Sequence, residues 1–134
     1  MGTKYGAKYN KDLRTPDIAK LVRAQIKAEL PHVKASVTSQ RFAGGSSITV
    51  TVKAALGVKL LTDEYLNARD NDRPFGTNRY TPEARELLAR VEQMLDAYNY
   101  DGSDIGSDYF HVNFYTHIGF DHELEDAERL KGAA

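Results

Sequence analysis

The sequence predicts an α+β fold, with a three-stranded antiparallel sheet and two helices on one of its faces, in the order α-β-β-(long loop)-α-β. Three observations predict it. Two segments repeat apolar residues every three or four positions, three others alternate apolar with polar residues, and a glycine-rich joint links the first two alternating runs. At 134 residues, the chain is read as one domain: a polar arm over 1–14, a core over 15–120 and a charged tail over 121–134.

The first helix is expected in "TPDIAKLVRAQIKAEL". Thr15 reads as its N-cap, Pro16 as the first helical residue and Asp17 as an acid in the first turn, each matched to exposed N–H groups. Ile18, Leu21, Val22, Ile26 and Leu30 form one apolar stripe, and Pro31 stops the helix. Its opposite face carries Lys20, Arg23 and Lys27.

"VKASVTSQRF" and "SITVTVK" both alternate. Val33, Ala35 and Val37 oppose Lys34, Ser36 and Thr38, and Ile48, Val50 and Val52 oppose Thr49, Thr51 and Lys53. The pair reads as a β-hairpin, with Gly44 and Gly45 at turn positions of positive φ. Residues 54–80 read as a long, partly irregular connection with room for a short helix in "GVKLLTDEYL".

"TPEARELLARVEQMLDAY" repeats the helix start, with Thr81 as cap, Pro82 first and Glu83 in the first turn. Its stripe is Ala84, Leu87, Leu88, Val91, Leu95 and Tyr98. In "DYFHVNFYTHIGF", Phe110, Val112, Phe114, Ile118 and Phe120 share one face of a strand, and Tyr109, His111, Asn113, Tyr115 and His117 share the other. The end, "DHELEDAERLKGAA", reads as a short charged helix or a loose tail.

The composition narrows function by exclusion. There is no cysteine, hence no disulfide, thiolate metal site or cysteine nucleophile, which fits a reducing cytoplasm. The polar start lacks a secretory apolar stretch, and no apolar run is long enough to cross a bilayer. A net charge of −1 conceals a polarity: Met1–Arg41 holds nine Lys/Arg against three Asp/Glu, and Glu92–Ala134 holds two against ten.

"GGSSI" raises the question of a phosphate loop. Such loops run from a strand into a helix whose N–H groups meet the phosphate, and this one runs into a second strand, so a turn is the expectation. Ser36, Thr38, Thr49, Thr51, Lys53, Tyr109, His111, Asn113, Tyr115 and His117 are expected together on the uncovered sheet face. Such a face suits a protein interface, where tyrosine is enriched, or stacking of nucleic-acid bases. It equally suits an ordinary wet face, since Tyr and Thr favour strands.

A zinc site from His111, His117 and His122 is not expected, because six residues of strand span about 20 Å. Asp101, Asp104 and Asp108 lie among small residues but miss the EF-hand spacing, so a polar turn is preferred to a cation loop. No G-x-S-x-G or H-E-x-x-H occurs. No metal, cofactor or catalytic residue is therefore assigned.

The segments "PHVKASVTSQRFAGGSSITV" and "YNYDGSDIGSDYFHVNFY" resemble the large polyvalent protein-associated domains, small α+β modules of bacteriophages and mobile elements. The likeness spans roughly Lys11 to Phe120. It implies a non-enzymatic accessory role and brings no catalytic residues. The leading expectation is a cytoplasmic module that binds a host or phage protein. The alternatives are a nucleic-acid binder using Lys20, Arg23 and Lys27 or the Tyr/His face, and a divalent-metal enzyme built on the acidic loop.

Overall fold

The computed structural model describes residues 4–69, 72–74, 76–101 and 114–132. Its elements are β1 (Lys4–Tyr5), α1 (Thr15–Glu29), β2 (Val33–Phe42), β3 (Gly45–Ala55), α2 (Asp63–Asn67), a 3₁₀ turn (Gly76–Arg79), α3 (Pro82–Asp96), β4 (Tyr100–Asp101), β5 (Tyr115–Phe120) and α4 (His122–Gly132). The fold is α+β, as expected.

The main sheet has the order β2-β3-β5. β2 and β3 are an antiparallel hairpin whose closing pair, Phe42↔Gly45, leaves only Ala43 and Gly44 in the turn. The expectation of a wholly antiparallel sheet is corrected. β5 runs parallel to β3, from Ser47↔Tyr115 to Val52↔Phe120, so the sheet is mixed. The chain leaves β3 at the end far from the turn and returns through α3 to the hairpin-turn end, a crossover that parallel pairing requires. Alternation alone cannot reveal this, because it is the same in both pairings.

One sheet face is covered. Val37, Val50 and Ile118 form a row across the three strands, and Ala35, Val52 and Phe120 form the next. These pack with Ile18, Val22 and Ile26 of α1 and with Ala84, Leu87, Val91 and Leu95 of α3 in one core. Burial of such side chains contributes roughly 1.5–3 kcal/mol each. Leu21, expected in the α1 stripe, is instead exposed, and Ala19 takes its place in the core. The stripe is therefore turned slightly from the one the spacing suggested.

Two expected local details also change. α1 begins at Thr15, with Arg14 rather than Thr15 at the N-cap, and Asp17 Oδ2 accepts the Arg14 amide at 3.1 Å. Only Gly44 has a positive φ in the hairpin turn, at +93°. Gly45 lies in ordinary strand geometry, because it already pairs with Phe42. Thr81 caps α3 as expected, its hydroxyl accepting the Ala84 amide at 3.1 Å.

The connection over 54–80 is pinned at its base. Leu61 bridges to Tyr80, the Thr62 amide donates to the Arg79 carbonyl at 3.0 Å, and the Thr81 amide donates to the Leu60 carbonyl at 2.8 Å. Thr62 caps the short α2, which overlaps the end of the stretch expected to hold a helix and runs one residue beyond it. Leu60 and Leu61 are buried in the core.

The acidic C-terminal stretch is the helix of its two readings. Glu125 pairs with Arg79 at 2.8 Å, and both Glu128 oxygens accept the Leu60 amide, at 2.9 and 3.0 Å. The arm before α1 is also tied down. β1 pairs with β4, the Gly6 amide donates to the Asn99 carbonyl at 2.8 Å, and the Lys8 amide donates to the Ala97 carbonyl at 2.7 Å. Gly6 is required there, since a Cβ would lie 2.1 Å from the Asp96 carbonyl oxygen.

Candidate functional site

The second face of the main sheet is built by strand register. Thr38, Thr49 and His117 are mutual partners across the three strands, as are Ser36, Thr51 and Gly119, and Gln40, Ser47 and Tyr115. Partners in a ladder project to the same side, so the expected residues Thr49, Thr51, Tyr115 and His117 do share one face. Thr38, Tyr115 and His117 are exposed, and the central-strand residues Thr49 and Thr51 are half-buried between neighbours. Lys53 is also exposed, at the bulge where the register shifts opposite Lys34/Ala35. Tyr109, His111 and Asn113 lie outside the described residues.

Phe42 is the residue that the sequence reading missed. It has the parity of Ser36, Thr38 and Gln40, so alternation alone places it on this face. Its ring stacks on Tyr115, with centroids 6.1 Å apart and planes 29° apart. Gly45 lies beneath the two rings, where a Cβ would stand in ordinary van der Waals contact, 3.5 Å from the Tyr115 ring and 3.7 Å from the Phe42 ring. The two rings remain 44% and 42% exposed. Ser47, beneath them, is buried. The hairpin-turn end of the face is thus an aromatic pair crossing the sheet, and its middle is a row of hydroxyls and imidazole.

The expected basic helix face divides. Lys20, Arg23 and Lys27 are all exposed on α1. The Arg23 guanidinium, however, donates to the carbonyl of Val37 on β2 and so secures the rim of the sheet. The three cations do not act as one uncommitted stripe.

"GGSSI" does reach a helix N-terminus, though not that of a following helix. Ser46 Oγ and Thr15 Oγ1 are 2.7 Å apart, bracing the turn against the start of α1. This contact also explains why Thr15 does not cap. The hydroxyls close on each other, and the stretch is a brace, not a phosphate cradle. Beside it runs a groove of about 460 Å³ between Leu13–Pro16 and the last residues of β2, lined by Arg14 and Arg41 and, among the described residues, by no carboxylate.

A second polar cluster joins α4 to the loop. The Arg79 guanidinium lies 4.4 Å from the Tyr80 ring centroid and donates to the Tyr80 hydroxyl at 2.6 Å. Burial, and then the Glu125 charge, push the Tyr80 phenol up to about 12. The hydrogen bond to Glu125 holds the Arg79 guanidinium above its ordinary value. Tyr80 also packs edge-on against Phe120 at 5.1 Å. Every polar group here is matched to another, which suits a clamp between elements. Among the described residues, no three His, Cys, Asp or Glu side chains are grouped to hold a metal ion. The acidic stretch from Asp104 to Asp108 lies outside those residues.

A family model for the large polyvalent protein associated domain 29 matches residues 13–118. The chain belongs to this family. No curated protein and no solved structure matches it. The polyvalent-protein match begins where α1 begins and ends inside β5, taking in the hairpin, the pinned connection and α3. It therefore contains both the aromatic end of the open face and the adjacent groove. Membership supports the association with polyvalent proteins of mobile elements that the quoted segments imply. Among the described residues, no helix is long and apolar enough to cross a membrane.

Proposed function

We propose that this polyvalent-protein domain is a non-enzymatic accessory module that binds another protein through the open face of its sheet, in the cytoplasm of the cell carrying the element. The observation that carries this reading is the exposed Phe42–Tyr115 pair. Two large rings held over a glycine at the rim of a hydroxyl-rich sheet supply the rigid aromatic anchors typical of protein interfaces. The central rows of Thr38, Thr49, Thr51 and His117 add polar groups for orientation.

Charge favours a protein over a nucleic acid. Phosphate recognition relies on several cations acting together. Here the open face offers Lys34 and Lys53 at its end far from the hairpin turn, and the guanidinium of Arg23 is already bonded to Val37. The net charge of the chain is −1.

The test compares the parent with the Phe42→Ala/Tyr115→Ala double variant in cross-linked capture from host cells. The reading expects a captured protein that the double variant loses while its melting temperature changes little. Fluorescence anisotropy with labelled DNA and RNA at low and physiological salt supplies the opposing result. Submicromolar binding that weakens steeply with salt would replace this reading with the nucleic-acid one.

A further inference from the structure

The outer rim of β2 is a sheet edge, and between Val37 and the turn its outward backbone groups have no partner among the described residues. Among the described residues, the sheet order leaves β2 with β3 as its one neighbour. A two-residue turn makes its closing pair, Phe42↔Gly45, a hydrogen-bonded one. Antiparallel pairs alternate, so Gln40 and Thr38 also bond to β3, and Arg41, Ser39 and Val37 direct their N–H and C=O groups outward. The Arg23 bond to the Val37 carbonyl agrees with that parity and closes the rim at this point. From there to the turn, the N–H and C=O groups of Ser39 and Arg41 face outward without a partner among the described residues.

The same stretch of β2 forms one wall of the 460 Å³ groove. The opposite wall is the start of α1 at Leu13–Pro16. An open strand edge beside a helix end is a receptor for an extended peptide, which adds main-chain hydrogen bonds and places alternate side chains on the two sides.

We propose that this edge receives an extended acidic segment of the partner protein as a fourth strand, a deepening that rests on the protein-binding reading above. Charge selects the occupant. Arg14 and Arg41 line the groove with no carboxylate among the described residues, and Lys34 and Arg23 stand farther along the rim. A second copy of the chain would set its own Arg41 and Lys34 against these cations, and basic side chains on an edge discourage such self-pairing. Alternation gives the segment a pattern. Side chains turned to the α1 side meet Arg14 and Arg41 and are acidic, and those turned to the open side lie beside Thr38, Gln40 and Phe42 and are apolar or aromatic.

The test is selection from a random dodecapeptide display library, with the parent protein and three variants. Ser39→Pro removes an outward N–H that the β2–β3 ladder does not use, so the hairpin survives the change. Arg14→Glu/Arg41→Glu reverses the groove charge without touching the backbone, and Phe42→Ala/Tyr115→Ala reports on the face. The expected result is enrichment of peptides alternating Asp or Glu with apolar residues. Their affinity should fall roughly tenfold or more in Ser39→Pro, the loss of about one backbone hydrogen bond. It should fall likewise in the charge-reversed variant. Adding a selected peptide should slow hydrogen exchange at the Ser39 and Arg41 amides.

Peptides that bind Ser39→Pro undiminished but fail on the aromatic variant would overturn the edge and leave the protein-binding reading standing. An unenriched library would also overturn the edge, and the capture comparison would then decide the wider reading. A concentration-dependent dimer that Ser39→Pro dissolves would put a second copy on the edge in place of the acidic segment.

Discussion

Glu128 in the last helix accepts the backbone amide of Leu61 at 2.7 Å, across 67 positions of sequence. The same carboxylate accepts the Leu60 amide. Both leucine side chains are buried and the bonds to Glu128 are partly buried, so without Glu128 two backbone donors would lose their acceptor. Glu128→Ala should reduce stability by about 1–2 kcal/mol, the penalty for leaving partly buried donors without their acceptor. Glu128→Gln, which keeps an acceptor oxygen, should lose less. Urea denaturation checks the order, and limited trypsin digestion should show earlier cleavage within 62–80 in the alanine variant.

Tyr80 links that clamp to pH. Its phenol is raised from 10.0 to about 12 in the folded protein, first by burial and then by the Glu125 charge. A raised folded value means that the folded state holds its proton more tightly than the unfolded chain does. The stabilisation is therefore fully present below about pH 10 and is lost as the pH climbs through about 12. Denaturation midpoints measured from pH 9 to 12 should fall across that window in the parent and fall less in Tyr80→Phe. Ultraviolet absorbance should show one of the eight tyrosines ionising later than the others.

Gly44 and Gly45 should respond differently to substitution. Gly44 sits at φ +93°, where side chains are strained whatever space surrounds them. Gly44→Ala should reduce stability by about 1–2 kcal/mol. At Gly45 the backbone is relaxed and a Cβ would meet the Phe42 and Tyr115 rings at ordinary contact distances. Gly45→Ala should therefore leave the melting temperature near the parent value. Thermal melts followed by circular dichroism distinguish the two.

Gly6→Ala should release the arm but spare the core. The added Cβ would collide with the carbonyls of Asp96 and Ala97, forcing the chain away from the end of α3. Exchange protection at the Gly6 and Lys8 amides should disappear. The packing of Tyr5, Tyr9 and Tyr100, whose ring centroids are 4.9–6.0 Å apart, should loosen and change the near-ultraviolet dichroism. Exchange protection in α1 and β3 should stay as in the parent.

Sequence by itself determined what depends on near neighbours. The α3 cap at Thr81, the apolar stripes of both long helices, the alternation in β2 and β3 and the glycine at the turn all follow from residues a few positions apart, and most were legible. So was the sharing of one sheet face by Thr49, Thr51, Tyr115 and His117, because a period of two is carried by the strand itself. Tertiary structure decided what depends on distant segments. The parallel direction of β5 is set by the crossover through α3, which leaves no trace in alternation. The cap of α1 moved because Ser46 took the Thr15 hydroxyl, and Arg23 left the basic face because Val37 offered an outward carbonyl. The helical end joined the fold because Leu60 and Leu61 needed acceptors. Buried or edge-facing polar groups must find partners wherever the chain brings them, and that pairing is a property of the folded arrangement that no local pattern encodes.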